Sequence, residues 1–507
     1  MWPRLKAEDF KVIFHYLGFL LVGVGIAMLI PFAMALAQGN DEIAVNYAIG
    51  IGASLSAGFL LAMCKISTPN LKRKQAVAIT ALAWFVCSLF GAIPLYLSGH
   101  YASYLDSVFE SMSSFTTTGL SVCVDIEHMS QSDILWRYLM NFIGGQGIVV
   151  VMLSVNAFAR SGSRASLYYA EGRHDHMMPE IKNTVRFIGA FSVTIVALFS
   201  IVLTAILMAC DGFSLETALF HGVGLSMAGF STTGFTVNSM GISYYHCWPL
   251  EVALIMTMLF GSVTLVLFIR AFKGRVGDFF NNYELRLYVA WTLIVVLGFV
   301  SMLAVSGSFD DVGSLLRKGV FTALSASTSG GFNVMTSGQT STLLGLGAMM
   351  FLFCAMAIGG MHDSTAGGIK VMRIGVLIKD LVGQVKQVLS PDSAKMVSSY
   401  ENVGRKTVEQ DAVRTAATML FLSLVSYAVG TVVGVACGYD GSDALFETIS
   451  ANSNNGLTAG VTSSAMPAVL EVTYMVQMCL GRLEFLSVIA TFAALIASFK
   501  PVGKKSA

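Results

Sequence analysis

The chain has 507 residues, 55% apolar and only 12% charged, with a mean hydropathy of +0.70; soluble domains carry about 25% charged residues, so this composition excludes one and places the chain in a bilayer. Its 31 basic and 30 acidic residues leave a net charge of +1, which offers no bulk field for nucleic acid. Eight cysteines stand far apart with no C-x-x-C pair and no histidine at a partner distance, so neither a disulfide framework nor a zinc site is expected.

Spanning helices need about 20 mostly apolar residues. Ten stretches meet that need in chain order: 12–37, 43–64, 75–98, 134–158, 185–210, 249–270, 287–306, 343–369, 413–437 and 469–498. The first is too long for a signal peptide and lacks a small-residue cleavage site, so it is expected to be retained. Ten spans put both termini on one side. Alternating segments on that side hold 27 of the 31 Lys and Arg residues; the exceptions are Arg137, Arg317, Lys318 and Arg482. The positive-inside rule makes that side cytoplasmic. The opposite side is acidic, with Asp41, Glu42, Asp106, Glu110, Asp125, Glu127, Asp133, Asp211, Glu216, Asp440, Asp443 and Glu447, and forms a cation-attracting mouth.

Four outer connections repeat one pattern: DSVFESMSSFTTTGLSV (106–122), ETALFHGVGLSMAGFSTTGFTV (216–237), RKGVFTALSASTSGGFNV (317–334) and DALFETISANSNNGLTAG (443–460). Each opens on a charged residue and a phenylalanine (Phe109, Phe220, Phe321, Phe446), runs about three helical turns, and ends in a polar cluster closed by glycine. From Phe to that Gly is 10 residues in the first, third and fourth segments (Gly119, Gly331, Gly456) and 14 to Gly234 in the second. Such stretches are too short to cross about 30 Å, so each is expected to be a re-entrant half-helix followed by an extended strand. Exposed backbone at that depth must line a water-filled path or be buried in protein. Four of them imply an all-α polytopic protein with pseudo-fourfold symmetry around a central pore: a two-span unit over 1–74, then repeats over 75–184, 185–286, 287–412 and 413–507.

A cation that sheds water needs replacement oxygens, and extended backbone beside glycine supplies carbonyls. The candidate filter residues are Thr117, Thr118 and Gly119; Thr232, Thr233 and Gly234; Ser329, Gly330 and Gly331; and Asn454, Asn455 and Gly456. Gly229 is the rival position in the second repeat. These clusters contain no Asp or Glu, which favours a carbonyl filter and a monovalent cation. The half-helices would also point partially negative C-terminal ends at the ion.

These segments resemble the Trk/Ktr/HKT superfamily of K⁺ channels and transporters, most closely its TrkH branch. The resemblance runs over nearly the whole chain through DSVFES, TTTGL, FIGGQGI (142–148), IGG (358–360), STAGGIKVMRI (364–374) and GRLE (481–484). It implies four joined membrane–pore–membrane units behind two extra N-terminal spans, K⁺ as the permeant ion, a bacterial inner (cytoplasmic) membrane location and a homodimer. It also implies a cytoplasmic nucleotide-binding regulatory protein such as TrkA. No Walker A or G-x-G-x-x-G stretch follows a strand here, so a nucleotide would bind that partner. The long inner connections 159–184, 270–286 and 370–412 are expected to dock it. The departures are Met361, His362 and Asp363 between IGG and STAGG, the strand SNNGL, and Gly330 before Gly331; the last two bear on K⁺ over Na⁺ selectivity.

Below the filter, glycines recur in the four spans that follow the strands: Gly144, Gly145 and Gly147, Gly261, Gly359 and Gly360, and Gly481. Close packing or a bend accounts for them. The run 359–368 joins four glycines to polar groups at mid-membrane depth and predicts a broken helix. The resemblance makes it an obstructing, movable loop, with Gly359, Gly360, His362, Asp363, Ser364, Thr365, Gly367 and Gly368 as gating residues. His362 and Asp363 lack a third ligand, so catalysis is not expected. Arg482 must face the bundle interior and pair, with Glu484 or Gln146 as candidates; it is either an electrostatic barrier or a structural ion pair. A coupled K⁺ symporter using H⁺ or Na⁺ is the competing reading, with Glu110, His221, Asp363 and Glu484 as titratable candidates. A pore that does not discriminate K⁺ from Na⁺ is another.

Overall fold

The computed structural model describes residues 4–64, 71–147, 181–307, 309, 311–391, 398–401, 405–483 and 485–499. In chain order its helices are α1 (Ala7–Ala27), α2 (Leu29–Ala37), α3 (Asp41–Ala62), α4 (Arg73–Leu97), α5 (Tyr104–Phe115), α6 (Gln131–Gln146), α7 (Ile181–Cys210), α8 (Leu215–Phe230), α9 (Trp248–Ser262) and α10 (Leu265–Phe272). There follow α11 (Val276–Asn281), α12 (Tyr283–Ser306), α13 (Val312–Ser327), α14 (Ser337–Leu343), α15 (Leu346–Ala357), α16 (Val371–Val388), α17 (Gln410–Ala436), α18 (Gly441–Asn452), α19 (Ala468–Leu483) and α20 (Phe485–Phe499). Two small ribbons complete it: parallel β1 (Ile358–Gly359) with β2 (Ile369–Lys370), and antiparallel β3 (Ser399–Glu401) with β4 (Arg405–Thr407).

Among the described residues six spans are long and apolar enough to cross a membrane: Ala7–Ala37, Asp41–Ala62, Arg73–Leu97, Arg186–Cys210, Tyr283–Ser306 and Gln410–Ala436. Two further pairs pass only as bent units, α9 with α10 at 96° and α19 with α20 at 116°. Among the described residues the helices of the fourth, sixth, eighth and tenth expected stretches are shorter than those stretches, and the eighth carries the break expected at 359–368. α6 ends at Gln146, and residues 148–158 of the expected fourth span lie outside the described residues. α9 turns sharply at Val263, α15 ends after 12 residues at Ala357, and α19 stops at Leu483. The glycines of these spans carry the physical reason. A Cβ on Gly144 would lie 1.8 Å from Phe115 O, on Gly261 2.2 Å from Phe230 O, and on Gly481 1.8 Å from Asn452 O. Each of these helices therefore touches, backbone to backbone, the last residue of the short helix preceding it, and α9 and α19 bend just beyond.

Each short helix starts where a side-chain oxygen caps its free N–H groups. Ser103 accepts from Asp106 N, Ser214 from Thr217 N, Asp311 from Ser314 N and Asp440 from Ser442 N. The largest apolar core lies around them and includes the fully buried Trp84, Trp136, Phe109 and Phe115. Exposed Leu, Ile, Val and Phe side chains on α1, α3, α7, α12 and α17 give those helices the outward apolar surface that lipid requires.

Candidate functional site

The four short helices end alike. After α5, Thr117 N–H donates to Ser114 O (3.1 Å) and Thr118 N–H to Ser113 O (2.8 Å). The same pair of bonds joins Thr232 to Gly229 and Thr233 to Ala228, Ser329 to Ala326 and Gly330 to Ser325, and Asn454 to Ala451 and Asn455 to Ser450. This is the Schellman closure, which ordinarily places glycine in the left-handed position. Here the left-handed residues are Thr117 (φ 56°), Thr232 (53°), Ser329 (56°) and Asn454 (50°). An L-residue pays about 1–2 kcal/mol for that conformation, a strain that persists only where surrounding contacts hold it. Ser329 makes the cleanest test, because its buried hydroxyl has no hydrogen-bond partner among the described residues. Ser329→Gly is expected to stabilise the fold by about 1 kcal/mol, the relieved strain exceeding the extra chain entropy of glycine. Thermal unfolding in detergent reads this as a raised Tm.

Two residues beyond each strained position stands one glycine, and the four touch in a closed cycle. A Cβ on Gly119 would lie 2.8 Å from Gly234 N, on Gly234 2.1 Å from Gly331 O, on Gly331 2.1 Å from Asn455 O, and on Gly456 2.2 Å from Thr118 O. All twelve residues from Thr117, Thr232, Ser329 and Asn454 to their glycines are thus brought to one level. The rival Gly229 lies inside α8 against Thr257 and outside this cycle.

The phase of the second segment differs from the reading made on phenylalanines. Counted back from the glycine, the residue matching Phe109, Phe321 and Phe446 is Gly224, and Phe220 lies one helical turn earlier. The Tyr138 ring fills the vacated space; a Cβ on Gly224 would come within 2.3 Å of it. Nor is α8 uniquely long, since α8 and α13 each have 16 residues against 12 in α5 and α18.

Behind the cycle, acidic side chains brace two of the four strands. Glu110 accepts from Ser121 Oγ (3.0 Å to each carboxylate oxygen), from Val122 N (3.1 Å) and from Arg137, whose Nη2 lies 2.6 Å away. The Arg137 guanidinium also stacks 4.2 Å above the ring of Phe235, next to Gly234, so the pair ties the first strand to the second. Glu447 does the matching task in the fourth, accepting from Thr458 Oγ1 (2.9 Å), Ala459 N (3.0 Å) and Thr462 N (3.0 Å). The sequence reading placed Glu110 in the acidic mouth and among the titratable candidates; the signal for its role was Arg137, a basic residue on the acidic side. At the outer surface Ser239 donates from its hydroxyl and N–H to Glu127, holding that carboxyl below the usual carboxylate range.

On the inner side of the cycle lies the expected break. Residues 358–370 leave α15, fold back through the β1–β2 ribbon and enter α16. Thr365 binds the loop to the second repeat: its N–H donates to Gly261 O (3.0 Å), its hydroxyl lies 2.9 Å from both Phe230 O and Gly261 O, and Thr232 Oγ1 is 3.3 Å away. Met361 N–H donates to Ser262 O, and Ser364 Oγ to Met361 O. Gly359 and Gly360 are needed for the close return against Gly367 and Ala366, and Gly367 itself abuts Ser453 O. Gly368 and Asp363 are left-handed, at φ 71° and 54°. His362 does not pair with Asp363; its N–H and ring face Glu284 of α12, at 2.6 and 3.3 Å.

Arg482 reaches this loop from the fourth repeat. Its Nη1 donates to Thr365 O (2.6 Å) and Thr117 Oγ1 (3.0 Å), and its Nη2 to Gly144 O (2.7 Å) and Gly145 O (3.1 Å). Of its expected partners, Glu484 lies outside the described residues, and the Gln146 side-chain carbonyl accepts from Ser192. A cavity of about 80 Å³ adjoins the loop, lined by Asp363, Lys370, Arg373, Asn452 and Arg482 among others, with room for several waters. Of the remaining titratable candidates, His221 meets the Tyr245 hydroxyl at 3.0 Å, and Glu110 is engaged by Arg137. Among the described residues no three His, Cys, Asp or Glu side chains gather as a metal site. The expected docking loop 159–184 lies largely outside the described residues, as do 392–397 and 402–404 of the loop 370–412.

The chain matches the TrkH family, described as cation transport protein, over residues 44–502. It is 32% identical over 494 residues to an uncharacterized cation transporter of Methanocaldococcus jannaschii, covering 97% of each chain. It is 27% identical over 495 residues to the Trk system potassium uptake protein TrkH of Halomonas elongata, covering 95% of this chain and 98% of the relative. The crystal structure of the potassium transporter TrkH from Vibrio parahaemolyticus superposes with a TM-score of 0.79 at 21% identity, over 97% of this chain and 99% of that one, a likeness of fold.

Proposed function

The chain belongs to the TrkH family of cation transport proteins, and on that premise we propose that it takes up K⁺ across the cytoplasmic membrane through a gated, filter-selective pore. The observation that carries this reading is the closed cycle of Gly119, Gly234, Gly331 and Gly456, each following a strained left-handed residue at a helix C-terminus. Carbonyls around that cycle replace the ion's water, and the ends of α5, α8, α13 and α18 direct partial negative charge toward it. The filter is formed by residues 117–119, 232–234, 329–331 and 454–456. In this reading the ten hydrophobic stretches form two N-terminal spans, over 1–74, and four pore repeats, over 75–184, 185–286, 287–412 and 413–507. Both termini lie in the cytoplasm, where most of the basic residues fall.

The loop 359–368 blocks the inner side of the filter, and Arg482 clamps it by binding loop, filter and α6 together. A TrkA-like cytoplasmic regulator, binding nucleotide itself, moves the loop, and two copies of the chain form the working unit. Relatives named as Trk potassium uptake proteins support K⁺ as the cargo. The transport reading leaves no role for catalysis.

Reconstituted vesicles under K⁺/Na⁺ bi-ionic conditions test the filter, with Gly119→Ser as the comparison. Reversal at the K⁺ Nernst potential is expected, independent of pH and Na⁺; a shift with either would convert the reading to symport. Unchanged selectivity in Gly119→Ser would sink the filter assignment. For the gate, deletion of 361–363 is expected to raise flux in the absence of any partner, and an unaltered flux would count against an obstructing loop.

A further inference from the structure

Glu251 and Glu471 occupy matching places, each ten residues before the glycine at which its helix meets the preceding short helix, Gly261 or Gly481. Each faces the start of the next short helix around the cycle. Glu251 meets Arg317 of α13, with Nη2 at 2.6 Å and Nε at 2.9 and 3.0 Å from its two oxygens. Glu471 instead meets Asp106 of α5, carboxyl against carboxyl. Where one seam has an ion pair, the seam between the fourth and first short helices has two acids.

Both are buried, Asp106 at 6% and Glu471 at 4% exposure. Asp106 already accepts from Ser103 through both oxygens, Oγ at 2.7 Å and N at 3.0 Å. Glu471 Oε2 has no hydrogen-bond donor among the described residues. Two ionised carboxylates cannot remain in contact without water, so something positive must lie between them. A bare alkali cation would need several further oxygens, and among the described residues no third acidic, His or Cys side chain joins them. We propose that Glu471 and Asp106 bind one proton between them, the Glu471 hydroxyl donating to the Asp106 carboxylate, and that this buried site makes the seam sensitive to outer pH.

The other charged groups on the packed elements are otherwise engaged, Asp133 on α6 accepting from the Tyr47 hydroxyl and Ser130 Oγ. Glu110 on α5 is held by Arg137, and Glu447 on α18 by Thr458, Ala459 and Thr462. Asp443 on α18 accepts from Ser341. Arg73 and Lys74 on α4, and Asp411 and Arg414 on α17, stand at the far ends of those helices. α20 carries no charged residue. As pH rises the shared proton leaves, two negative charges face one another, and the contact of α19 with α5 is expected to open.

Infrared spectra of the reconstituted full chain test the site without reference to the ion carried. A protonated-carboxyl band that shifts in D₂O is expected in the parent protein, fading as pH rises, and absent at every pH in Glu471→Gln and in Asp106→Asn. K⁺ flux adds a second readout, resting on the pore reading. It should fall severalfold with rising outer pH in the parent and stay level in Glu471→Gln, whose amide supplies the lost hydrogen bond. A band that persists in both variants, or pH profiles that run parallel, overturns the proposal. So does a Tm that climbs with Na⁺ or K⁺ at alkaline pH in the parent but not in Glu471→Gln, which would put a metal cation in the seam.

Discussion

Alanine at position 234 is expected to abolish discrimination between K⁺ and Na⁺ while leaving a folded, inserted protein. A Cβ there would lie 2.1 Å from the carbonyl oxygen of Gly331 and 2.3 Å from its carbon, and both are backbone atoms that cannot rotate away. The strand must therefore shift by about 1 Å to restore van der Waals contact. Gly234 is the sharpest of the four positions because its own backbone lies outside the left-handed region, whereas Gly119, Gly331 and Gly456 sit at φ 90°, 66° and 94°. At those three an added side chain strains the local backbone as well, so a loss of function would have two causes. A displacement of one coordinating strand removes the size match on which dehydration of K⁺ depends, and the K⁺/Na⁺ permeability ratio should drop at least tenfold, about 1.4 kcal/mol of discrimination. Gly229→Ala supplies the control, since the atoms nearest its Cβ would belong to the side chains of Thr257, at 3.1 Å, and Phe332, at 3.7 Å, and not to backbone. If Gly229→Ala erases selectivity and Gly234→Ala spares it, the second strand has been placed wrongly.

That control exists because the sequence left two glycines open in the second repeat. Hydropathy and the repeated pattern made the short helices and their polar ends legible, since an opening charged residue with phenylalanine and the clusters TTTG and STTG are local signals. Phase was harder to read. Aligning on Phe220 assumed that every short helix presents phenylalanine at one height, but in α8 that height belongs to Gly224 and the ring comes from Tyr138 on α6. A side chain borrowed from another helix leaves no trace in the repeat's own pattern. At Gly261 and Gly481 the sequence left close packing or a bend open, and the structure has both, since the bends at Val263 and beyond Leu483 follow a backbone contact with a distant helix end. Likewise the cost of burying Arg482 correctly required partners, but the partners are main-chain carbonyls of Gly144, Gly145 and Thr365, which any sequence would offer. The broken run 359–368 was readable because glycine and polar groups at that depth conflict with a plain helix.

The same distinction between local and borrowed support predicts the second large effect. Removing either partner of the Arg137–Glu110 pair leaves a charge with almost no access to water, and breaking such a pair by one partner costs about 3–5 kcal/mol. Arg137→Met should therefore lower Tm steeply and, by freeing Glu110 and Phe235 together, loosen the strands after Gly119 and Gly234. Glu447 braces its strand with neutral donors alone, so Glu447→Gln should cost only about 1–3 kcal/mol, the penalty of mispaired polar groups. The double variant Arg137→Met with Glu110→Gln separates charge from bracing. If the buried charge dominates, the double variant recovers about 1–3 kcal/mol relative to the sum of the singles, because neither charge is left alone. Its K⁺/Na⁺ ratio should nonetheless stay low, since Ser121 and Val122 no longer have the carboxylate to hold them. Recovery of both stability and selectivity would mean that the pair serves the fold and has no part in shaping the filter; additive losses would mean that the two residues act separately.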